Sequence, residues 1–429
     1  VCSPHPQSGA RRRGIIAGVA AGGQDDVEVE GIMRIAVIGA GAMGQWAVKE
    51  LGMTPDVETI VVGDVDRARA QAVASEKGGG KATACLVDAS EESHASLAEA
   101  LTGCDAMVNA TQHFWNLNVM RAAASAGVHY TDMGGLFHVT RRQVELDGLF
   151  KEAGVTAVIA MGGAPGVTNI LAKHGAEQLD TVEEAHALCG NVDHTDWSAY
   201  PGWVPPYSLE TLCDEFSVAA PQYIDGTWDE SIKGGEREEL IDFGQPAGLL
   251  EAHHTIHSEP FTFLHTWKDR GLRSATFKLS LPAEFTAQMR FLDRIGMTRT
   301  DEVDVKGAAV RPRDVLLKVV SELPRPSGDV VLDDVDYLLG VLRGRKDGRS
   351  VEWRVRAVVP ASKEHGAGGG DVDTGIPPAI VATMLASGEI AGPGVFVPEQ
   401  VVPCREFFRR FARWGVTVDA QMREIVAAP

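Results

Sequence analysis

The stretch RIAVIGAGAMGQWAVKEL, residues 34–51, constrains this chain more than any other. Five residues suited to a buried strand run into glycines at positions 39, 41 and 44, and a helical pattern follows. Gly39 permits a tight turn, Gly41 leaves bare backbone for a close ligand, and Gly44 lets the helix pack on the strand. With Ala42 and Met43 between them, the N–H groups at the helix start face a phosphate-sized ligand. The spacing reads as a dinucleotide turn if the next strand ends in an acid. It does: ETIVVGD ends in Asp64, where a carboxylate accepts hydrogen bonds from a ribose. That carboxylate repels a 2′-phosphate, so NAD is favoured, while Arg67 and Arg69 nearby keep NADP open. Asp64 also has a structural reading, as the cap of the helix VDRARA.

From Met33 onward, β-rich runs alternate with helical ones. RIAVIGA, ETIVVGD, KATACLV, DAMVNAT, VHYTDM and VTAVIAMGG read as strands, with crossover helices between them. This predicts an α/β fold, a Rossmann-type doubly wound parallel sheet of order 3-2-1-4-5-6. The first helix after it is VTNILAKHGAEQL. Segments such as TFKLSLP, DVVLDDVDYLLGVLRG and VEWRVRAVVP then predict a second α+β domain with a mainly antiparallel sheet, for substrate and dimerisation. KEHGAGGGDVDTG reads as a glycine-rich link, and TGIPPAIVATMLASGEI as a helix begun at a proline. The expected division is 1–32 as a disordered extension, 33–166 as the nucleotide domain, 167–372 as the α+β domain and 373–429 as a C-terminal segment.

Composition narrows the partners. The 429 residues carry a formal charge of −19, which disfavours nucleic acid and anionic membranes. No apolar run in the sequence is long enough to span a bilayer. Six scattered cysteines, Cys2, Cys85, Cys104, Cys189, Cys213 and Cys404, read as reduced thiols of a cytoplasmic protein, with no zinc-finger spacing and no metal expected.

Several stretches together resemble the saccharopine dehydrogenase-like family, and within it they are similar to lysine 6-dehydrogenase. IAVIGAGAMG and GDVDRARA look like its cofactor half. AGVHYTDMGGL resembles its fifth strand and turn, MGGAPGVTNILA its sixth turn and helix, and TGIPPAIVATMLASGEIAGPGVFVPEQ its C-terminal signature. The resemblance implies that residues 373–429 return to pack beside the nucleotide domain. Saccharopine-forming members place aspartate where this chain has Ala164, so a smaller amine than saccharopine is expected.

The resemblance further implies hydride transfer between a nicotinamide and a carbon bearing nitrogen, with an amino acid or related amine as the small-molecule substrate. Such a step requires a fixed nicotinamide face, an acceptor for the ammonium and an acid or base near neutral pH. Asn109, Ala110 and Thr111 at the fourth strand's end run along the nicotinamide ribose, with His113 just beyond as proton acceptor. Asp132, at the fifth strand's end, is a candidate for holding the ammonium. In HHTIHSEP, an extended strand puts His253, His257 and Glu259 on one face, with His257 lining the pocket. Lys278 is a candidate for pairing with a substrate carboxylate or for acid–base work. Three functions stay open: oxidation of an amine such as lysine, reductive condensation of an amine with a carbonyl compound, and NAD binding without turnover. A homodimer through the second domain is expected.

Overall fold

The computed structural model of the protein describes residues 32–198, 200, 202–324 and 330–426. Apart from Ile32, the N-terminal extension lies outside the described residues. Strands and helices alternate first: β1 (Met33–Ile38), α1 (Gly44–Met53), β2 (Val57–Asp64), α2 (Arg67–Lys77), β3 (Ala82–Leu86), α3 (Ala95–Leu101), β4 (Ala106–Asn109), α4 (Asn116–Ala126), β5 (His129–Asp132), α5 (Leu136–Gln143), α6 (Asp147–Ala153) and β6 (Thr156–Val158). All six strands run parallel, in the spatial order 3-2-1-4-5-6. Alternation along β1 explains the two layers of helices. Ile35 and Val37 enter one apolar core, Ala36 and Ile38 the other.

A mixed region follows: α7 (Val167–Ala176), β7 (Thr181–Asp193), α8 (Leu209–Ser217), β8 (Gln222–Ile224), β9 (Thr227–Asp229), β10 (Glu236–Asp242), β11 (Leu249–His254), α9 (Glu259–Trp267), β12 (Ser274–Ser280), α10 (Ala283–Arg294), β13 (Val303–Val305), β14 (Ala308–Val310), α11 (Pro312–Ser321), β15 (Asp334–Lys346) and β16 (Arg349–Pro360). The chain closes with α12 (Gly369–Ser387), β17 (Gly394–Phe396), α13 (Pro398–Val401), α14 (Cys404–Phe411) and β18 (Thr417–Glu424). The second sheet has the path β10-β11-β12-β7-β15-β16-β18. Only its β12–β7 pairing is parallel.

The C-terminal region differs from its sequence reading in three ways. Residues 369–373, read as part of a link, form the first turn of α12, which therefore starts well before the prolines and carries Pro377 and Pro378 inside it. Each proline lacks the N–H that would bond four residues back. The glycines belong to that close approach: a Cβ on Gly369 would meet the Val359 carbonyl oxygen at 2.9 Å. The segment also serves both sheets, since β17 extends the first beside β6 while β18 extends the second beside β16.

Helix α12 is central to the packing. Ile376, Ile380 and Met384 are buried in the same core as Trp46 and Ala47 of α1, each contributing roughly 1.5–3 kcal/mol. Gly375 permits the contact, because a Cβ there would lie 2.6 Å from that of Trp46. The same core takes in Ile170 and Leu171 of α7 and Leu338, Val355 and Val359 of the second sheet. The two sheets are thus joined by shared apolar packing.

Candidate functional site

The glycine turn separates into two roles. Gly39 has a φ of 101°, and a Cβ on it would meet the Ala110 carbonyl oxygen at 2.5 Å. A Cβ on Gly44 would lie 1.8 Å from the Gly39 carbonyl oxygen. Both glycines are required by packing. Gly41 has no heavy atom within 4 Å of such a Cβ, so it opens onto free space. Helix α1 starts beneath it with no side-chain cap and no acid in its first turn, with Met43 at the cap and Ala42 exposed. An open turn above uncapped N–H groups fits a pyrophosphate.

Asp64 ends β2 beside this turn, but the structure changes its reading. Its Oδ2 accepts from the Ala40 N–H at 2.7 Å and its Oδ1 from the Asp66 N–H at 2.8 Å. Arg69 pairs with the same carboxylate, Nη2 to Oδ1 at 2.6 Å and Nε to Oδ2 at 3.2 Å. Burial raises the Asp64 pKa, and the hydrogen bonds from Arg69, Asp66 and Ala40 outweigh it, leaving the group below the usual carboxylate range. The cap of α2 is Asp66, not Asp64. Arg69 itself is about half exposed, with its side chain at 47%. The group presented at this end of the crevice is therefore a guanidinium as much as a carboxylate.

The end of β4 is built around Asn109. Its Nδ2 donates to Asn116 Oδ1 at 2.9 Å and to the Tyr130 hydroxyl at 3.0 Å, while its Oδ1 accepts from the N–H and hydroxyl of Thr111. Asn109 points into the protein and fixes Thr111, while Ala110 is locked against Gly39. His113 follows in a short 3-10 turn, edge-on to Phe114. Burial lowers its pKa, with Asp214 and Glu210 of α8 opposing that shift across the crevice. Among the described residues no hydrogen bond holds its ring.

Two candidates do not reach the crevice in their expected roles. Asp132 is 1% exposed, and its oxygens accept from Tyr130 Oη, Gln143 Nε2 and the N–H groups of Gly134 and Ala160. With those donors in place it organises the ends of β4, β5 and β6 instead of holding an ammonium. Lys278 pairs with Glu239 on the far face of the second sheet, in a concavity of about 480 Å³ lined also by Glu184, His186 and Arg343. Its neighbour on β12, Phe277, points the other way and stacks on His257 at 3.7 Å.

His257 does enter a polar cluster, though not from a strand. β11 ends at His254, and Glu259 begins α9. His253 packs against Phe216 and His254 bonds the Phe277 carbonyl, so the histidines diverge and form no ligand set. His257 Nδ1 lies 2.6 Å from Glu259 Oε2, and its Nε2 lies 3.9 Å from Glu215 Oε1. Glu259 also accepts from Thr168 Oγ1 at 2.8 Å, just after the turn that holds Ala164. Glu215, from α8, accepts from the Tyr207 hydroxyl.

Opposite stand acids that the sequence reading passed over. Asp336 of β15 and Asp373 of α12 are both buried, within electrostatic reach of each other. Asn191 Nδ2 donates to Asp336 at 2.7 Å, and Thr374 Oγ1 to Asp373 at 2.7 Å. Burial drives both pKa values up; the charge of Asp336 adds to the rise at Asp373, and the charges of Asp334 and Asp371 add to the rise at Asp336. The Cys189 thiol lies within electrostatic reach of Asp336, Asp373, Glu215 and Glu259. Asp373 also faces Gly163, where a Cβ would come within 2.6 Å of its carboxyl carbon. The acids therefore gather beyond the ends of β5 and β6, where a doubly wound sheet puts the nicotinamide half of its cofactor. An i, i+2 pair of aspartates at the start of β15 and the DVD of α12 were the available signals.

Residues 35–158 match the model of the saccharopine dehydrogenase NADP binding domain, and residues 162–416 that of the saccharopine dehydrogenase C-terminal domain. Carboxyaminopropylagmatine dehydrogenase of Synechocystis is 24% identical over 389 residues, covering 86% of this chain and 93% of its own. Carboxynorspermidine synthase of Vibrio cholerae is 24% identical over 324 residues, covering 70% and 73%. The fold is similar to that of saccharopine dehydrogenase (L-Glu forming) from Saccharomyces cerevisiae, with a TM-score of 0.70 at 15% identity over 91% of this chain and 100% of that one. The protein is thus a member of the saccharopine dehydrogenase family, an NAD(P)-dependent enzyme acting on amines.

Proposed function

We propose that the enzyme joins a cationic di- or polyamine to a carboxylate-bearing carbonyl compound, with NADPH as hydride donor. The observation that carries this reading is the set of buried acids Asp336, Asp373, Glu215 and Glu259, which among the described residues only one basic side chain, His257, enters through a close ion pair. Buried carboxylates without cations attract an ammonium-bearing ligand. The names of the two curated relatives, each a polyamine-type amine carrying a carboxyl group, support the same class. Arg69 at the end of β2 supports a 2′-phosphate, which Asp64 alone would oppose.

The test is a spectrophotometric panel on the purified chain. NADPH oxidation is followed with 1,3-diaminopropane, putrescine, agmatine or lysine as amine, each paired with aspartate semialdehyde or 2-oxoglutarate. Turnover with a diamine and the semialdehyde is the expected result. A chain that instead reduces NAD⁺ with free lysine and ignores every carbonyl pair returns the assignment to lysine oxidation. Dimerisation through the second domain is proposed as well, and sedimentation decides it.

A further inference from the structure

We infer that Glu215, His257 and Glu259 form a proton relay serving the substrate nitrogen, with Glu215 as the group that meets the substrate and Tyr207 and Thr168 as the residues that hold its two ends. The inference rests on the reductive reading above. Three side chains from separate segments converge: Glu215 from α8, His257 from the loop after β11, and Glu259 from the first turn of α9. The imidazole is fixed in its plane by the ring of Phe277, stacked at 3.7 Å with an interplanar angle of 10°. Nδ1 is committed to Glu259 at 2.6 Å, so Nε2 is the nitrogen aimed at Glu215, 3.9 Å away. That gap exceeds a hydrogen bond, and such contacts commonly tighten when substrate binds.

The ends of the relay are unlike. Glu259 is 0% exposed and anchored by Thr168. Among the described residues Glu215 is hydrogen-bonded only by Tyr207, on one oxygen, while its other oxygen faces His257. The groups facing Glu215 are Tyr207, Asp214 on its own helix, His257 and Glu259. Cys189 of β7 lies near Glu215 and Glu259 as well as Asp336 of β15 and Asp373 of α12. Burial raises the Glu215 pKa to about 7 against the pull of His257. Burial lowers that of His257, and the charges of Glu259 and Glu215 outweigh it, leaving the ring above its usual value. A carboxyl group poised near neutrality beside a charged imidazole can accept and return a proton.

The chemistry balances with one borrowed proton. The ammonium of the incoming amine gives a proton to Glu215, and its lone pair forms the C–N bond as the carbonyl π electrons move to oxygen. A proton shift from nitrogen to that oxygen gives the neutral carbinolamine. The relay then returns its proton to the hydroxyl, which leaves as water, and the resulting iminium carbon takes hydride from NADPH. The product is the neutral secondary amine and NADP⁺.

Two measurements on Glu215→Gln test this, with the holoenzyme as reference. In the first, turnover is recorded from pH 5.5 to 9. The variant should lose at least 100-fold in kcat with KM for NADPH unchanged, and the limb near pH 7 should vanish. Glu259→Gln should keep that limb but displace it by about a pH unit, because it acts through the imidazole. In the second, the ring ¹⁵N signals of His257 are titrated in wild type and in Glu215→Gln, with no substrate present. The His257 midpoint should fall in the variant. If Glu215→Gln keeps the wild-type profile within threefold, or if the His257 titration is the same in both proteins, the relay is wrong. Should every amine–carbonyl pair fail with wild type, the reductive reading falls, and the imidazole titration still decides the relay by itself.

Discussion

Asp336 of β15 and Asp373 of α12 are buried within electrostatic reach of each other, although thirty-seven positions separate them. Two buried carboxylates this close disfavour each other's ionised form. Burial raises Asp336 to about 7 and Asp373 well above its ordinary value. A carboxyl group whose folded pKa is raised binds more protons folded than unfolded, so its stabilisation is complete below about pH 4 and is lost as pH rises through the folded value. The melting temperature should therefore fall between pH 5 and pH 8. Glu215 and Glu399, each raised to about 7 by burial, add to the same slope. Asp336→Asn removes the charge but keeps an acceptor for Asn191, and should recover roughly 2–4 kcal/mol at pH 8. Thermal unfolding across this range checks it, and an unchanged slope in the variant would show that the pair is already ionised.

Arg69 should decide the cofactor. Its guanidinium is braced by Asp64 and half exposed beside the dinucleotide turn. Arg69→Ala should weaken NADPH binding by roughly 10–100-fold, the worth of a charged hydrogen bond of about 1.5–3 kcal/mol. NADH binding should change little. Calorimetry with both nucleotides separates the cases, and equal losses for the two would assign Arg69 to bracing Asp64 only.

The glycines of the turn should respond differently. Gly44→Ala drives a Cβ against the Gly39 carbonyl oxygen, and overpacking backbone should cost about 3 kcal/mol. Gly41→Ala meets nothing within 4 Å, so stability should stay within about 0.5 kcal/mol. Its cofactor affinity should nevertheless drop at least tenfold. Comparing denaturant midpoints with nucleotide affinities reads both effects, and a fully functional Gly41→Ala would move the phosphates elsewhere.

Lys278 should be dispensable for turnover, since it sits with Glu239 on the face of the second sheet turned away from His257. Lys278→Ala should leave kcat, KM and the pH profile within twofold. A loss of activity that tracks loss of the oligomer in sedimentation would instead place an assembly surface on this face.

The order of the first sheet was readable because glycine spacing, strand length and right-handed crossovers all give one answer. The orientation of Asp132 was not. A carboxylate at a strand end looks alike in sequence whether it faces the crevice or turns inward, and two of the residues that turn it inward, Gln143 of α5 and Ala160 after β6, lie outside its own strand. The reading of HHTIHSEP assumed a strand through Glu259. Ser258 and Pro260 mark a helix start instead, and they were visible as such. Asp373 was hidden by the glycines before it, which read as flexible spacing but permit close packing of a helix on β15 and β16. Arg69 stands out in the sequence, but its bond to Asp64 depends on a side-chain geometry that no spacing specifies.

Because β17 finishes one sheet and β18 the other, both lie downstream of nearly everything they complete. A ribosome emitting this chain releases the nucleotide half hundreds of residues before α12 arrives to cover its core. That half must wait with an apolar flank open to water, a state in which nascent chains recruit chaperones or aggregate. Competence for chemistry then comes in one late event, since the helix that buries the flank also delivers Asp373.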